Sequence, residues 1–291
     1  MEKVEIDAFQ PKFIYIESLP SGMSPKVGFI GAGKMGRALM GGFLSKGVVS
    51  PDDLIACAPS ESTRESIEND FGVRTYRTAS EVCRLADIVV IAVKPYQVRQ
   101  VFVEEKAKVD KGKTVVSLVA GLTLDGMEQY VPACKNFRVM PNHCVMVSDG
   151  AMGYCCSANV TQDDKKKIEE MLSAVGMVVE VPESSMDAIT GLAGSSPAFM
   201  YMIIDAMADA GVLAGLPRKD AIELAAQSML GAAKMVLETG KHPDVLKDEV
   251  CSPGGTTIEG VRTLEDMGLR SAVIAGVDAA VCKSREMSQK K

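Results

Sequence analysis

Short apolar runs separated by amphipathic stretches organise the first part of the chain. The runs at 26–30 (KVGFI), 54–57 (LIAC), 73–76 (VRTY), 114–118 (TVVSL), 136–140 (NFRVM), 150–155 (GAMGYC) and 177–181 (MVVEV) have strand length. The run at 87–93 (DIVVIAV) is apolar at nearly every position, as a strand covered on both faces must be. Between them, periodicity predicts helices from Lys34 to Leu44 and over 80–84, 96–109, 124–130 and 163–175. Strands alternating with helices make an α/β unit with a parallel, Rossmann-type sheet. The strand tips are then expected along the edge where such sheets bind ligands.

After Glu183 the strands cease. The segment 198–214 (AFMYMIIDAMADAGVLA) is apolar on nearly every face, with only Asp205 and Asp209 marking a polar edge. A helix over 217–238 follows, carrying Glu223, Gln227, Lys234 and Glu238 along one polar stripe. A helix apolar all round is expected to be buried. One small helical domain cannot bury that much surface, so this half is read as a homodimerisation unit; packing against the first domain is the alternative. The resulting plan is an N-terminal extension (1–25), a Rossmann dinucleotide-binding domain (26–182) and an all-α domain for dimerisation and substrate binding (183–291).

Composition narrows the function. The 291 residues are 47% apolar, enough for about two cored domains. A net charge of −6 argues against nucleic-acid or acidic-membrane partners. No uninterrupted apolar run reaches the ~18 residues of a spanning helix. The 8 cysteines contain no CxxC and are most simply reduced and buried. With 2 histidines, His143 and His242, far apart, a zinc site or a Ser-His-Asp triad is not expected. Residues 1–25 have neither transit-peptide nor signal-peptide character, and are read as a tail or a short added strand. No address is visible, which makes the cytoplasm the default compartment.

The chemistry begins after the first strand. Gly31-Ala32-Gly33-Lys34-Met35-Gly36 is a GxGxxG turn between an apolar strand and a helix. In that context Gly31 permits the turn, Gly33 admits a pyrophosphate and Gly36 lets the helix lie on the strand. Where an NAD site would place an acid after the second strand, this chain has Cys57-Ala58-Pro59-Ser60, then Arg64. Hydroxyls and an arginine suit a 2′-phosphate, so NADPH is favoured; Glu61 tempers that and keeps NADH as the alternative, and Arg64 is otherwise a solvated helix-face charge. Lys94-Pro95 ends the fourth strand and is a natural cofactor contact. Pro141-Asn142-His143 ends the sixth, where His143 is a candidate proton donor, although a lone histidine is more often structural.

Near the other end lies Cys251-Ser252-Pro253-Gly254-Gly255-Thr256-Thr257, followed by a helical run over 258–267. Thr256 and Glu259 form a capping-box pattern that places a helix start at the end of the turn. The unpaired N–H groups of a helix start, reached over bare glycines and flanked by hydroxyls, suit a small carboxylate. An ordinary Pro-Gly loop is the alternative.

Together, KVGFIGAGKMG, AVKP at 92–95, RVMPN at 138–142 and LKDEVCSPGGTTIEGVRTLE at 246–265 resemble the pyrroline-5-carboxylate reductase family over about residues 26–288. The resemblance implies a Rossmann domain, a helical dimerisation domain, dimers that can assemble into decamers (pentamers of dimers), and NAD(P)H-dependent reduction of 1-pyrroline-5-carboxylate to L-proline. Position by position, it places Gly31 to Gly36, Ala92, Val93, Lys94, Ala120, Gly121 and Asn142 on the cofactor. Ser252, Gly254, Gly255 and Thr256 go to the substrate carboxylate, Thr257 becomes the hydrogen-bond or proton donor to the ring nitrogen, and Glu183 is substrate-proximal. The chain departs from the family's habits at Met140-Pro141-Asn142-His143-Cys144, at Ala193-Gly194-Ser195-Ser196-Pro197-Ala198-Phe199, at Ala58, at Glu249 and at Cys251.

Reduction of a protonated cyclic imine needs alignment, a grip on the carboxylate and a donor to nitrogen. It needs neither a base to deprotonate a carbinol nor a metal, which suits a chain nearly empty of histidine. A β-hydroxyacid dehydrogenase would want a basic residue on its central helix, and 198–214 has none. A related imine reductase with another cyclic substrate and a catalytically silent NADPH-binding regulator are the remaining alternatives.

Overall fold

A computed structural model describes residues 25–104 and 106–289; the expectation for the N-terminal extension lies outside the described residues but for Pro25. The chain divides into two compact units. The first runs to Pro197 and resumes at Val277; the second is Ala198–Gly276.

The first unit is built on β1 (Val27–Ile30), β2 (Leu54–Cys57), β3 (Arg74–Tyr76), β4 (Ile88–Ile91), β5 (Thr114–Ser117), β6 (Lys135–Met140), β7 (Gly150–Cys156) and β8 (Gly176–Glu180). They form one 8-stranded sheet in the order β3-β2-β1-β4-β5-β6-β7-β8. Alternation along each strand feeds two cores. Phe29, Leu54 and Val90 point to one, under α1 (Lys34–Ser45), α2 (Glu61–Phe71) and α6 (Gln162–Ser173). Ile30, Ile55 and Ile91 point to the other, under α3 (Ala79–Leu85), α4 (Pro95–Arg99) and α5 (Leu124–Tyr130). Covering both faces is what requires strands as apolar as Ile88-Val89-Val90-Ile91.

Two sequence expectations need correction here. β1 to β6 are parallel, but β7 is antiparallel to β6, and β8 runs with β7. The short 3₁₀ turn His143–Val147 joins β6 to β7, too little chain for a parallel crossover. The ends of β7 and β8 therefore leave the sheet at the edge opposite the tips of β1 to β6. The helix expected over 96–109 is also shorter. After α4 the chain widens into a π-helical stretch, Gln100–Glu104, and Lys106 turns left-handed with φ 54°. The widened turn seats Val101 and Phe102 in the core, with Phe102 at 5.9 Å from the Tyr130 ring.

Before the boundary come α7 (Met186–Ile189) and a π-helical turn, Thr190–Gly194. The remaining helices are α8 (Ser196–Leu213), α9 (Arg218–Thr239), α10 (Pro243–Val250), α11 (Thr256–Asp266) and α12 (Leu269–Gln289). Small residues bring α8 and α9 together: Ala208, Ala221 and Ala225 are buried, and a Cβ at Gly211 would lie 3.1 Å from that of Ala221. As expected of a helix that its own domain cannot cover, α8 is largely exposed in the single chain, with Met202 at 72% and Leu213 at 91%. Among the described residues one helical run, Glu183–Leu213, is long and apolar enough to cross a bilayer by length and composition, with a mean hydropathy of 1.2. The count of uninterrupted apolar residues missed it because glycines, serines and three aspartates punctuate the run.

Candidate active site

The sheet order places β1 beside β4, and the chain leaves β1 and β4 in opposite directions. Such a switch point opens a crevice at the carboxyl ends of the strands. Gly31 turns there with φ 99°, and a Cβ on it would sit 2.8 Å from the Ala92 carbonyl oxygen. A Cβ on Gly36 would lie 2.7 Å from the Gly31 carbonyl oxygen, so α1 rests directly on the turn. Gly33, the residue that caps α1, is different: a Cβ there would meet nothing within 4 Å. Two glycines thus close the turn, and the third leaves open space before the unpaired N–H groups of α1, with Ala32 and Met35 packed on the core behind. This cradle fits a dinucleotide pyrophosphate.

The neighbouring tips align with it. Ala92 N–H donates to the Ile30 carbonyl at 2.8 Å, and Leu118 N–H to that of Ile91 at 2.9 Å. Ala92, Val93 and Lys94 therefore lie along the same edge as Gly31 to Gly36, with Ala120 and Gly121 next in line, Gly121 left-handed at φ 78°. Lys94 caps α4, its N–H donating to Gln97 Oε1 at 3.0 Å. Beyond β2, Ser60 caps α2 and its hydroxyl lies 2.8 Å from that of Ser62. Arg64 Nη1 donates to the Ala58 and Pro59 carbonyls, each at 2.9 Å. Its guanidinium is folded onto the tip of β2, which is not the posture of a solvated helix-face charge.

Asn142 is placed at the tip of β6 but turned inward, 6% exposed. Its Oδ1 accepts from Cys144 N–H at 3.1 Å and Ala151 N–H at 3.2 Å, and its Nδ2 donates to the Ala193 carbonyl at 3.2 Å. The side chain ties β6, β7 and the Thr190–Gly194 turn together. His143, beside it, is exposed.

Glu183 has defined partners. Its Oε1 accepts from Leu124 N–H at 2.8 Å, at the start of α5, and from Arg138 Nη1 at 3.1 Å. Sequence reasoning missed Arg138; the available signal was a lone arginine inside the apolar strand Asn136-Phe137-Arg138-Val139-Met140. A cavity of about 410 Å³ beside the pair is lined by Leu124, Cys155, Cys156 and Glu183. Burial is the main influence on both thiols, driving Cys155 up to about 12 and Cys156 above its ordinary value, so neither is a thiolate nucleophile at neutral pH.

In the second unit, Ser252, Pro253, Gly254 and Gly255 form a β-turn closed by Gly255 N–H donating to the Ser252 carbonyl at 3.0 Å. Pro253 presets the second position and Gly254 supplies φ 67° at the third. A Cβ on Gly255 would fall 2.4 Å from Ser252 Oγ and 3.2 Å from the Ser252 carbonyl oxygen, so a side chain there would displace the serine hydroxyl. The expected capping box is corrected: Gly255, not Thr256, caps α11, and Glu259 instead accepts from Arg262 at 3.3 Å. Thr256 and Thr257 are then the first two helical residues, with hydroxyls not engaged in capping and N–H groups without intrahelical acceptors.

The family "Pyrroline-5-carboxylate reductase dimerisation" matches residues 183–287, and "NADP oxidoreductase coenzyme F420-dependent" matches 26–121. A pyrroline-5-carboxylate reductase of Methanosarcina acetivorans is 45% identical over 266 residues, covering 91% of this chain and 98% of the relative. The solved reductase of Coxiella burnetii superposes with a TM-score of 0.86 at 33% identity, covering 92% of this chain and 100% of that one. That of Plasmodium falciparum, with NADP bound, gives 0.79 at 31% identity over 92% and 100%. The chain belongs to the pyrroline-5-carboxylate reductase family, homo-oligomeric oxidoreductases that use NAD(P)H to reduce 1-pyrroline-5-carboxylate to L-proline.

Proposed function

We propose that Ser252, Gly254, Gly255 and Thr256 hold the substrate carboxylate and that Thr257 donates to the ring nitrogen. The observation that carries this reading is the glycine cap of α11: no side chain closes the helix start, so its N–H groups and two hydroxyls remain to receive an anion. Gly31 to Gly36, Ala92, Val93, Lys94, Ala120 and Gly121 hold the cofactor, which when bound supplies the hydride. As the hydride adds to C5 of the ring, the C=N electron pair passes to nitrogen. The imine enters protonated at nitrogen and keeps that proton in the secondary amine product, and the Thr257 hydroxyl would donate to the lone pair that develops there. Gripping the carboxylate fixes which carbon faces the hydride, and such alignment supplies several of the roughly 7–11 kcal/mol that orientation can contribute. Glu183, held by Leu124 N–H and Arg138, is the substrate-proximal acid, and Asn142, fixed in the β6–β7 turn, serves the cofactor side.

NADPH is the preferred reductant. The tip of β2 carries no acid in the position that would hold a free ribose 2′-hydroxyl, and Arg64 is anchored there beside Ser60. Dimers assemble further into a pentamer of dimers, and the enzyme works in the cytoplasm, its exposed apolar helices covered by other copies of the chain. An NADPH-oxidation assay with 1-pyrroline-5-carboxylate tests the core of the reading. Arg64→Met is expected to lower kcat/KM for NADPH about ten-fold, as loss of a charge-assisted contact implies, and that for NADH hardly at all. Equal losses with both would remove the 2′-phosphate role.

A further inference from the structure

The turn Ala120-Gly121 is held from outside the strand that carries it. A Cβ on Gly121 would lie 3.6 Å from the Met287 carbonyl oxygen and 3.9 Å from the Ser288 nitrogen, so the last turn of α12 rests against it. Three residues on, Leu124 N–H is fixed by Glu183. The end of α12 is itself anchored. Ser284, 8% exposed, donates from Oγ to Asp187 Oδ1 on α7 at 2.6 Å. A turn earlier, α12 closes on Gly191, where a Cβ would fall 2.4 Å from Val281 Cγ2 and 3.0 Å from the Val277 carbonyl oxygen. Ala120 and Gly121 thus have a backbone brace on one side and a hydrogen-bonded stop on the other.

We propose that Asp187 and Ser284 are positioning residues for cofactor binding: their hydrogen bond docks the end of α12 onto α7 and so sets the Ala120-Gly121 turn. This rests on reading that turn as part of the cofactor site. A carboxylate that accepts a short bond from a buried hydroxyl is a strong anchor, and removing Ser284 leaves Asp187 Oδ1 only the long contact from Ser288 Oγ at 3.5 Å. A loosened α12 end would let a left-handed glycine turn sample other conformations, and the fraction poised for the cofactor would fall.

The test uses the full-length oligomer and four variants. Ser284→Ala and Asp187→Ala both remove the bond; Asp187→Asn keeps the acceptor. Ala120→Leu perturbs the turn directly. Kd for NADPH is measured by fluorescence titration, alongside KM for the imine acid. Loss of the bond is expected to raise Kd for NADPH about five-fold while KM for the imine acid holds, with Asp187→Asn restoring most of the affinity. Ala120→Leu is expected to weaken NADPH as well. If Ala120→Leu weakens NADPH but neither Ser284→Ala nor Asp187→Ala does, the positioning role is wrong. If Ala120→Leu also leaves Kd unchanged, the turn is not a cofactor contact and the inference fails with that reading.

Discussion

Glu183 Oε1 lies 3.1 Å from Arg138 Nη1, and the arginine side chain is only 8% exposed while the glutamate is 34% exposed. The two are 45 residues apart. The pair therefore joins β6 to the segment that follows β8, with the start of α5 held by the same oxygen. Removing the carboxylate would strand a buried guanidinium. Glu183→Ala is expected to cost about 2 kcal/mol of stability, below the full cost of breaking a buried pair because Glu183 is partly hydrated. Denaturant midpoints measure it, and Arg138→Met in the same chain should recover part of the loss.

The glycines of the first turn separate stability from binding. Gly33→Ala, with open space around the new methyl group, should fold with stability within about 0.5 kcal/mol of the parent. It should nevertheless raise KM for NADPH on the order of ten-fold, since the methyl group occupies the approach to α1. Gly36→Ala meets the Gly31 carbonyl and should cost about 2 kcal/mol. Thermal melts and KM measured on both variants check the contrast.

That contrast shows how far the residues alone could be read. Gly31, Gly33 and Gly36 announced their separate tasks through spacing, and Ile88-Val89-Val90-Ile91 announced a strand buried on both faces. The reversal at β7 was hidden, because a strand's direction is set by the length of the connection before it and not by its own side chains. The cap of α11 was hidden too: Thr256-Thr257-Ile258-Glu259 reads as a capping box, but the Ser252–Gly255 turn ends one residue early and Arg262 takes the glutamate. Arg138, Glu183 and Leu124 are brought together only by folding, as are Asp187 and Ser284.

Asp164 predicts an acid limb to stability. Burial pushes its carboxyl upward, but hydrogen bonds from Lys135 and Thr161 outweigh that and hold it at about 2, against an ordinary 3.8. Because the folded value is depressed, this contribution is complete above pH 3.8 and is lost as pH falls toward about 2. Asp164→Asn should flatten that part of the stability curve and leave the neutral region merely lowered. Denaturant midpoints across the acid range decide it.

Exposed apolar residues on the second unit should act at the level of assembly. Met202 is 72% and Leu224 57% exposed in the single chain. Glutamate at both positions should displace the oligomer toward monomer, since each buried charge would oppose association by several kcal/mol. Sedimentation velocity reads the outcome; an unchanged oligomer would place the interface on another face of these helices.

The most direct test of the account is the rate of NADPH oxidation with 1-pyrroline-5-carboxylate in the parent enzyme and in Thr257→Ala, with NADPH affinity measured alongside. If the Ser252–Thr257 turn holds the ring and Thr257 serves its nitrogen, kcat should fall on the order of 10²-fold, with Kd for NADPH unchanged. An unchanged kcat would contradict that role.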